Sequence, residues 1–179
     1  MDHAVETARS ASDGVVVVVP AVDVASEGGV AGGTTRSESV RAGLVAVPSD
    51  ATIICVHDAA RPFASRQLFE AVINAVREGA DGAVPGMPLS DTVKRIDGHN
   101  VVIDTPQRTA LVAVQTPQAF RAAILRAAHQ TGRDATDDAA LVETRGGRVV
   151  VVAGEPNNRK ITHVEDLAWA REHAESHGL

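Results

Sequence analysis

The sequence predicts an α/β fold with a mostly parallel sheet and helices packed on both faces. Four short runs rich in Val and Ile, at residues 15–19, 52–56, 82–84 and 148–152, carry no polar alternation, which is typical of strands buried on both faces. Helical patterns separate these runs, and strands that alternate with helices favour a parallel sheet. Only three Phe and one Trp are present, so we expect residues 1–179 to form one domain with an aliphatic core.

The helices are predicted from apolar side chains spaced three and four residues apart, most clearly over 67–77 and 119–129. Capping-box pairs, a Thr followed three residues later by a Glu, mark two helix starts at Thr35 and Thr162. The Gly-rich residues 25–35 are predicted to form a flexible loop.

One segment, residues 91–105, interrupts the alternation of strands and helices. Residues 91–96 and 101–105 flank a turn-rich connection, which predicts a β-hairpin. Two placements remain open: the hairpin projects as an arm, or it forms an ordinary edge of the main sheet.

Composition excludes several classes of protein. The chain has 17 basic and 23 acidic residues, a net charge of −6, whereas a nucleic-acid-coating surface needs excess Lys and Arg. The longest apolar run is far shorter than a membrane span, and no secretory signal is visible. A single cysteine, Cys55, fits a reducing compartment. We therefore expect a soluble, cytoplasmic protein that binds neither nucleic acid nor membrane.

Ligands of open parallel sheets bind beyond the carboxyl ends of the strands, so the residues that follow each strand are candidate site residues. After the strand 52–56, Asp58 is suited to face a cation and Arg61 to bind a phosphate through two hydrogen bonds. The alternative is a local ion pair between the two side chains within a tight turn.

Lys160 follows the strand 148–152 at the start of the last helix, where backbone N–H groups favour an anion. The alternative is a solvated surface lysine, but lysine is scarce here: only Lys94 and Lys160 stand among the 17 basic residues. Thr116 and Thr136 precede predicted helix starts, either as simple caps or as part of a phosphate or sugar-hydroxyl pocket.

The sequence contains no metal-binding motif, no nucleophile elbow and no P-loop. We therefore expect no metal ligand set from the chain itself. The best candidate residues all handle anions, which favours phosphate chemistry that is performed by positioning and electrostatics.

Six stretches, in order along nearly the whole chain, resemble the 2-C-methyl-D-erythritol 4-phosphate cytidylyltransferases of the non-mevalonate isoprenoid pathway. They are GGTTRSESV at 32–40, VHDAARP at 56–62, DTVKR at 91–95, QTPQAF at 115–120, TDDA at 136–139, and KIT at 160–162 with EDL at 165–167. The related ribitol-5-phosphate cytidylyltransferases share the TPQ element, but the form HDAARP favours the methylerythritol enzymes. The resemblance implies a Rossmann-like nucleotidyltransferase sheet.

The resemblance also implies a reaction in which CTP and methylerythritol phosphate, with Mg²⁺, give the CDP-linked product and pyrophosphate. Lys160 would stabilise the α-phosphate in the transition state, with Asp58 as the second catalytic residue. The sugar-phosphate site would be lined by Asp58, Arg61, Thr116 and Thr136, and the cytidine by Gly33, Ser39 and Ala59. Thr92 and Arg108 would reach the partner's site in a homodimer that forms through the hairpin arm 91–105.

The sequence departs from the family pattern in two respects. Thr34 and Asn157 stand where many members carry an acidic residue. The family also opens with a strand and a Gly-rich loop that wraps the triphosphate, and we expect about 40 residues, roughly one βα unit, to be absent before residue 3. Two hypotheses are therefore kept: a cytidylyltransferase, or a catalytically weak or inactive remnant that binds the sugar phosphate.

Overall fold

The computed structural model describes residues 2–178, and within them the chain forms nine strands and seven α-helices. The strands are β1 (Val18–Val19), β2 (Val30–Ala31), β3 (Ile53–Val56), β4 (Gly82–Pro88), β5 (Arg95–Ile96), β6 (Val102–Asp104), β7 (Val112–Val114), β8 (Gln118–Arg121) and β9 (Val149–Ala153). The helices are α1 (Asp2–Ser10), α2 (Val24–Glu27), α3 (Arg36–Ala46), α4 (Arg66–Arg77), α5 (Ala122–His129), α6 (Asp138–Glu143) and α7 (Val164–His177). Two 3₁₀ turns lie at Ala21–Asp23 and Arg108–Ala110.

The central sheet has five strands and confirms the α/β architecture. β8 lies antiparallel between β3 and β4, while β9 pairs with β4 in parallel and β7 pairs with β4 antiparallel. The predicted parallel set is therefore present in β3, β4 and β9, which run in one direction. The strands β7 and β8 run against it and make the sheet mixed, a feature that the sequence analysis did not anticipate.

The helix predicted over 119–129 begins only at Ala122, because the residues before it form β8. Ala119 packs against the core on one face of the sheet and Phe120 against the core on the other. This alternation is the period of a strand, not of a helix. Thr116 consequently caps no helix, and that part of the prediction was wrong.

Helices cover both faces of the sheet, as predicted. On one face, α4 packs Val72, Ile73 and Val76 against β4 and β8, and the Ser65 hydroxyl caps it by accepting from the Leu68 N–H. On the other face, α3, α5 and α6 surround the fully buried Phe120. None of the helices within residues 2–178 combines the length and apolarity that crossing a membrane requires.

Of five further local predictions, the structure confirms one and departs from the other four. The capping box at Thr35 is confirmed, with Glu38 completing it. The last helix is capped one residue later than predicted, at His163, and α6 is capped by Asp137 instead of Thr136. Of the predicted strand 15–19 only β1 forms, and it pairs in parallel with β2, so the predicted flexible loop 25–35 contains a short strand.

The hairpin forms a sheet of its own from β5 and β6, which decides between the two placements in favour of a separate arm. Its apolar side chains are about half exposed: Ile96, Val101, Val102 and Ile103. Its predicted role in dimerisation remains a prediction.

Candidate functional site

The Asp58 carboxylate is the centre of the site and contacts two cations. Its Oδ1 lies 3.1 Å from Arg36 Nε and its Oδ2 lies 2.9 Å from Lys160 Nζ. Asp58 follows β3, Lys160 follows β9, and Arg36 is the first residue of α3. Because β3 and β9 run in the same direction, their carboxyl ends meet at one edge of the sheet, where ligands bind in such folds.

The ionisation of Asp58 and Arg36 follows from these contacts. Burial opposes the charged form of Asp58, but the Lys160 hydrogen bond and the Arg36 charge outweigh it and lower the pKa of the carboxyl. Burial also opposes the charge on Arg36, yet Asp138 and Asp58 together raise its pKa. Asp58 and Arg36 are therefore ionised at neutral pH. Together with Lys160 they form a charged cluster, and Lys160 is its most exposed member.

Thr116 fixes the backbone beneath Asp58. Its hydroxyl oxygen accepts from the Asp58 N–H at 3.0 Å and lies 3.1 Å from Nδ1 of His57. The Nε2 of His57 lies 3.0 Å from the Arg61 carbonyl, which can only accept, so Nε2 carries the hydrogen and Thr116 donates to Nδ1. Burial lowers the pKa of His57, which keeps the ring neutral and this pattern intact.

Arg61 does not form the local ion pair that was the alternative prediction. Its Nη1 donates to the Asn158 carbonyl at 2.8 Å, while the Asp58 carboxylate pairs with Arg36 and Lys160. Its buried Nε finds no hydrogen-bond partner within residues 2–178. Arg61 therefore retains a donor beside the cluster.

Buried amides attach the Lys160 loop to the sheet. Asn158 is fully buried and donates from Nδ2 to the Thr116 carbonyl at 2.8 Å. Gln115 donates from Nε2 to the Glu155 carbonyl at 2.9 Å and accepts from the Glu155 N–H at 3.0 Å. These bonds hold the chain on the N-terminal side of Lys160 at a fixed distance from Thr116 and Asp58.

The residues predicted to lie near the nucleotide are neighbours of Arg36 and Asp58 along the chain. The Gly33 N–H donates to Ser39 Oγ at 3.2 Å, and Ala59 adjoins Asp58. A Cβ at Gly33 would lie 2.2 Å from Cβ of Glu38, so only glycine fits there. The Glu38 carboxylate accepts hydrogen bonds from the Thr34 side chain and from nearby backbone, and these bonds hold the turn in place. The same bonds lower the pKa of Glu38.

Three predicted residues are not joined to the cluster. Thr136 is exposed, although it lies two residues before Asp138, which contacts Arg36. Thr92 is exposed at the start of the arm 91–105, and Arg108 donates to the Ser90 carbonyl. The predicted action of Thr92 and Arg108 at a partner's site remains a prediction.

The sequence analysis missed a set of charged residues behind the site. Asp138 is almost completely buried and lies 2.8 Å from Arg36 Nη2 and 2.8 Å from Nε2 of the buried His129. Arg36 stands inside the GGTTRSESV stretch and Asp138 inside TDDA. The two motifs marked these residues as candidates, but no local pattern indicated that the side chains of Arg36 and Asp138 contact each other.

Within residues 2–178, no three His, Cys, Asp or Glu side chains gather in a position to hold a metal ion. Both carboxylate oxygens of Asp58 already contact cationic nitrogens. A Mg²⁺ ion bound mainly by substrate phosphates needs only one or two protein carboxylates. The residues present therefore fit a cation that is held mainly by a phosphate ligand, and Asp58 would join it only after one oxygen leaves Arg36 or Lys160.

The fold and the charged edge define the class, that of the α/β nucleotidyltransferase folds. The solved structure of a 4-diphosphocytidyl-2C-methyl-D-erythritol synthase from Anaerococcus prevotii superposes with a TM-score of 0.87 at 32% identity, covering 97% of this chain and 88% of that one. The 2-C-methyl-D-erythritol 4-phosphate cytidylyltransferase from Thermus thermophilus gives 0.84 at 36% identity with the same coverage.

The family follows from the sequence itself. The model of the family described as 2-C-methyl-D-erythritol 4-phosphate cytidylyltransferase matches residues 2–175, and the chain belongs to this family. A bifunctional enzyme IspD/IspF from Nitratidesulfovibrio vulgaris is 53% identical over 144 residues, which are 78% of this chain and 36% of the relative. A 2-C-methyl-D-erythritol 4-phosphate cytidylyltransferase from Streptomyces avermitilis is 48% identical over 148 residues, 79% of this chain and 59% of the relative. The chain thus spans less than two thirds of the length of each.

Proposed function

We propose that the protein transfers a cytidylyl group from CTP to 2-C-methyl-D-erythritol 4-phosphate, giving 4-diphosphocytidyl-2-C-methyl-D-erythritol and pyrophosphate. The observation that carries this proposal is the contact of Lys160 and Arg36 with Asp58 at the carboxyl edge of the sheet. Two cations at that edge suit a reaction between two phosphate groups. Membership of the family supports the choice of substrates.

In the proposed reaction an oxygen of the sugar phosphate attacks the α-phosphorus of CTP. A new P–O bond forms, the bond from the α-phosphorus to the bridging oxygen breaks, and its electron pair leaves with pyrophosphate. Negative charge grows on the α-phosphate oxygens, and Lys160 is proposed to donate to one of them once it leaves Asp58 Oδ2. Its exposure is what allows this exchange of partners.

Asp58, Arg61, Thr116 and Thr136 are proposed to line the sugar-phosphate site. Arg61 supports this best, because its buried Nε is a donor without a partner in the described part of the chain. Asp58 would accept from a substrate hydroxyl when Lys160 turns to the nucleotide. Thr116 acts on Asp58, since its hydroxyl is bonded to the Asp58 backbone.

Gly33, Ser39 and Ala59 are proposed to lie against the cytidine. Support comes from the tight turn at Gly33, which lets backbone approach a ligand closely. Mg²⁺ is proposed to enter bound to CTP and to neutralise phosphate charge. A cytoplasmic location is proposed on the single thiol of Cys55, which fits a reducing compartment.

A homodimer is proposed through the arm 91–105, with Thr92 and Arg108 serving the neighbouring site. The half-exposed apolar side chains of a separate hairpin support it. We expect Arg108→Ala and Lys160→Ala each to be impaired alone and to regain activity when mixed, because a mixed dimer contains one intact site. Each variant alone, at the same total protein concentration, is the control. A lack of complementation would place Arg108 in its own subunit's site or outside any site.

The test of the reaction is a pyrophosphate-release assay with CTP, Mg²⁺ and a choice of acceptor. We expect methylerythritol phosphate to support turnover, and no release without an acceptor. A preference for ribitol 5-phosphate would make the protein the related cytidylyltransferase. Calorimetric binding of methylerythritol phosphate without turnover would favour the inactive sugar-phosphate-binding protein. The exposed Arg77 lies on α4 away from the cluster, so Arg77→Ala serves as a charge-removal control.

A further inference from the structure

A series of polar contacts runs from His129 in the interior of the protein to Lys160. His129 Nε2 lies 2.8 Å from Asp138 Oδ1, and Asp138 Oδ2 lies 2.8 Å from Arg36 Nη2. Arg36 Nε then contacts Asp58 Oδ1, whose second oxygen contacts Lys160. We infer that Asp138 and His129 are positioning residues, which act through Arg36 to set the orientation of Asp58 and Lys160. This inference rests on the proposed cytidylyl transfer.

The three middle residues, Asp138, Arg36 and Asp58, each use two polar atoms, one toward the interior and one toward the site. The guanidinium of Arg36 is a rigid planar fork, so its Nε and Nη2 cannot move independently. Its Nη2 closely approaches Asp138 without the alignment of a hydrogen bond, and the contact is an ion pair. Fixing Nη2 at Asp138 therefore fixes the direction from which Nε meets Asp58.

Asp138 is not needed to cap α6, because the neighbouring Asp137 performs that structural role. The Asp137 carboxylate caps α6 by accepting from the Ala140 N–H at 3.0 Å and also accepts from Gln118 at 2.9 Å. Asp138 makes neither bond, and its side chain faces Arg36 and His129. Two adjacent carboxylates thus have different partners, which provides a matched pair for an experiment.

The interior end of the series is attached to rigid elements. His129 is 4% exposed and Asp138 is 1% exposed, and the helices that carry them pack together on the sheet. His129 Nε2 lies 2.8 Å from Asp138 Oδ1, and this contact between two buried side chains fixes the orientation of the ring. A site held by packed elements keeps its geometry better than one held by loops alone.

Stability alone does not favour such an arrangement. Removing charges from water is costly, and apolar side chains of similar size often stabilise a buried position as well or better. Here the buried charges point toward the one edge of the sheet where a phosphate ligand is proposed to bind. Their effect is expected in the rate of the reaction, since a misplacement of about 1 Å can lower a rate about a hundredfold.

The first experiment compares Asp138→Asn with Asp137→Asn in the pyrophosphate-release assay. We expect Asp138→Asn to lower kcat about ten- to a hundredfold with little change in KM. We expect Asp137→Asn to keep kcat, since Asn is also a good N-cap. In an Arg36→Gln background, Asp138→Asn should cause no further loss, because Asp138 acts through Arg36. Losses that multiply in the double variant, or equal losses from both Asp variants, would overturn the inference.

The second experiment does not require activity. The chain contains two lysines, so ¹³Cε-labelled lysine gives one resonance for Lys160 and one for Lys94, which lies in the hairpin and serves as an internal reference. We expect Asp138→Asn to move the Lys160 resonance and leave that of Lys94 in place, while Asp137→Asn moves neither. An unchanged Lys160 resonance overturns the positioning role.

Failure of the proposed cytidylyl transfer can be distinguished from failure of the positioning role of Asp138. If the unaltered protein transfers no cytidylyl group but its Lys160 resonance responds to Asp138→Asn, the reaction is wrong and the link from Asp138 to Lys160 stands. If Asp138→Asn does not fold, His129→Gln removes only the interior partner of Asp138. We expect this variant to move the same Lys160 resonance and to lower kcat, and an unmoved resonance with unchanged kcat would overturn the inference.

Discussion

Replacing Lys160 with alanine separates its contribution to stability from its contribution to the reaction. Lys160 Nζ donates to Asp58 Oδ2 at 2.9 Å, but 43% of the lysine side chain is exposed, so water screens the pair. Its loss is expected to lower the free energy of unfolding by at most about 1 kcal/mol. Asp58 also stays paired with Arg36 and is not left as an isolated buried charge.

The expected effect on the reaction is much larger. A donor aimed at charge that develops in the transition state contributes about 3–4 kcal/mol, which corresponds to about 10²–10³ in kcat. The assay is single-turnover release of pyrophosphate at saturating CTP, accompanied by thermal unfolding, with Arg77→Ala as the control and Lys160→Arg to test whether charge alone suffices. Near-normal turnover by Lys160→Ala would refute the assignment of Lys160, and a severe loss of stability would refute the argument from screening.

Three further outcomes are expected. A Cβ at Gly82 would lie 2.6 Å from the buried Phe120 ring, so Gly82→Ala should lower the free energy of unfolding by about 1–3 kcal/mol in urea titrations, whereas Gly98→Ala, which meets open space, should not. Burial opposes the ionisation of Asp58, but the Lys160 hydrogen bond and the Arg36 charge together outweigh burial and hold the pKa of this carboxyl below its ordinary 3.8. The contribution of ionised Asp58 to stability is therefore present above about pH 4 and is lost as the pH falls through the folded-state pKa. Unfolding of Asp58→Asn across that range should lack this loss, and an equal acid dependence would contradict it. Burial raises the pKa of the Cys55 thiol to about 12, so iodoacetamide at about pH 8 should label the denatured chain far faster than the folded one, and equal rates would contradict this.

The sequence predicted that Asp58 and Lys160 lie at the carboxyl edge of the sheet, because each signal was local, but it did not predict their contact. Asp58 and Lys160 each follow an apolar run, and strands of common direction bring such residues to one edge. The helix α4 and the capping box at Thr35 were predicted for a similar reason, since their periodicity and spacing lie within one segment.

The remaining features depend on contacts between segments that are distant in the sequence. Ala119 and Phe120 fit a helical pattern as well as a strand until β3 and β4 are known to flank them. The contact of Arg36 with Asp138 depends on how α3 and α6 pack around the core, and no spacing rule within either helix reports it. Short apolar runs and isolated charges leave these choices to tertiary structure.

The position of β4 has a consequence for how the protein is made. On one side, β4 pairs with β9, and Gly82 lies opposite Val149. At about 5–20 residues per second, Val149 is synthesised several seconds after Gly82. Until then, this side of β4 has no partner strand from β9. During that interval β4 offers unpaired backbone groups to any neighbouring strand. Nascent chains are therefore most exposed to mispairing after β4 has been synthesised and before β9 arrives, and chaperone contact is expected to concentrate in that window.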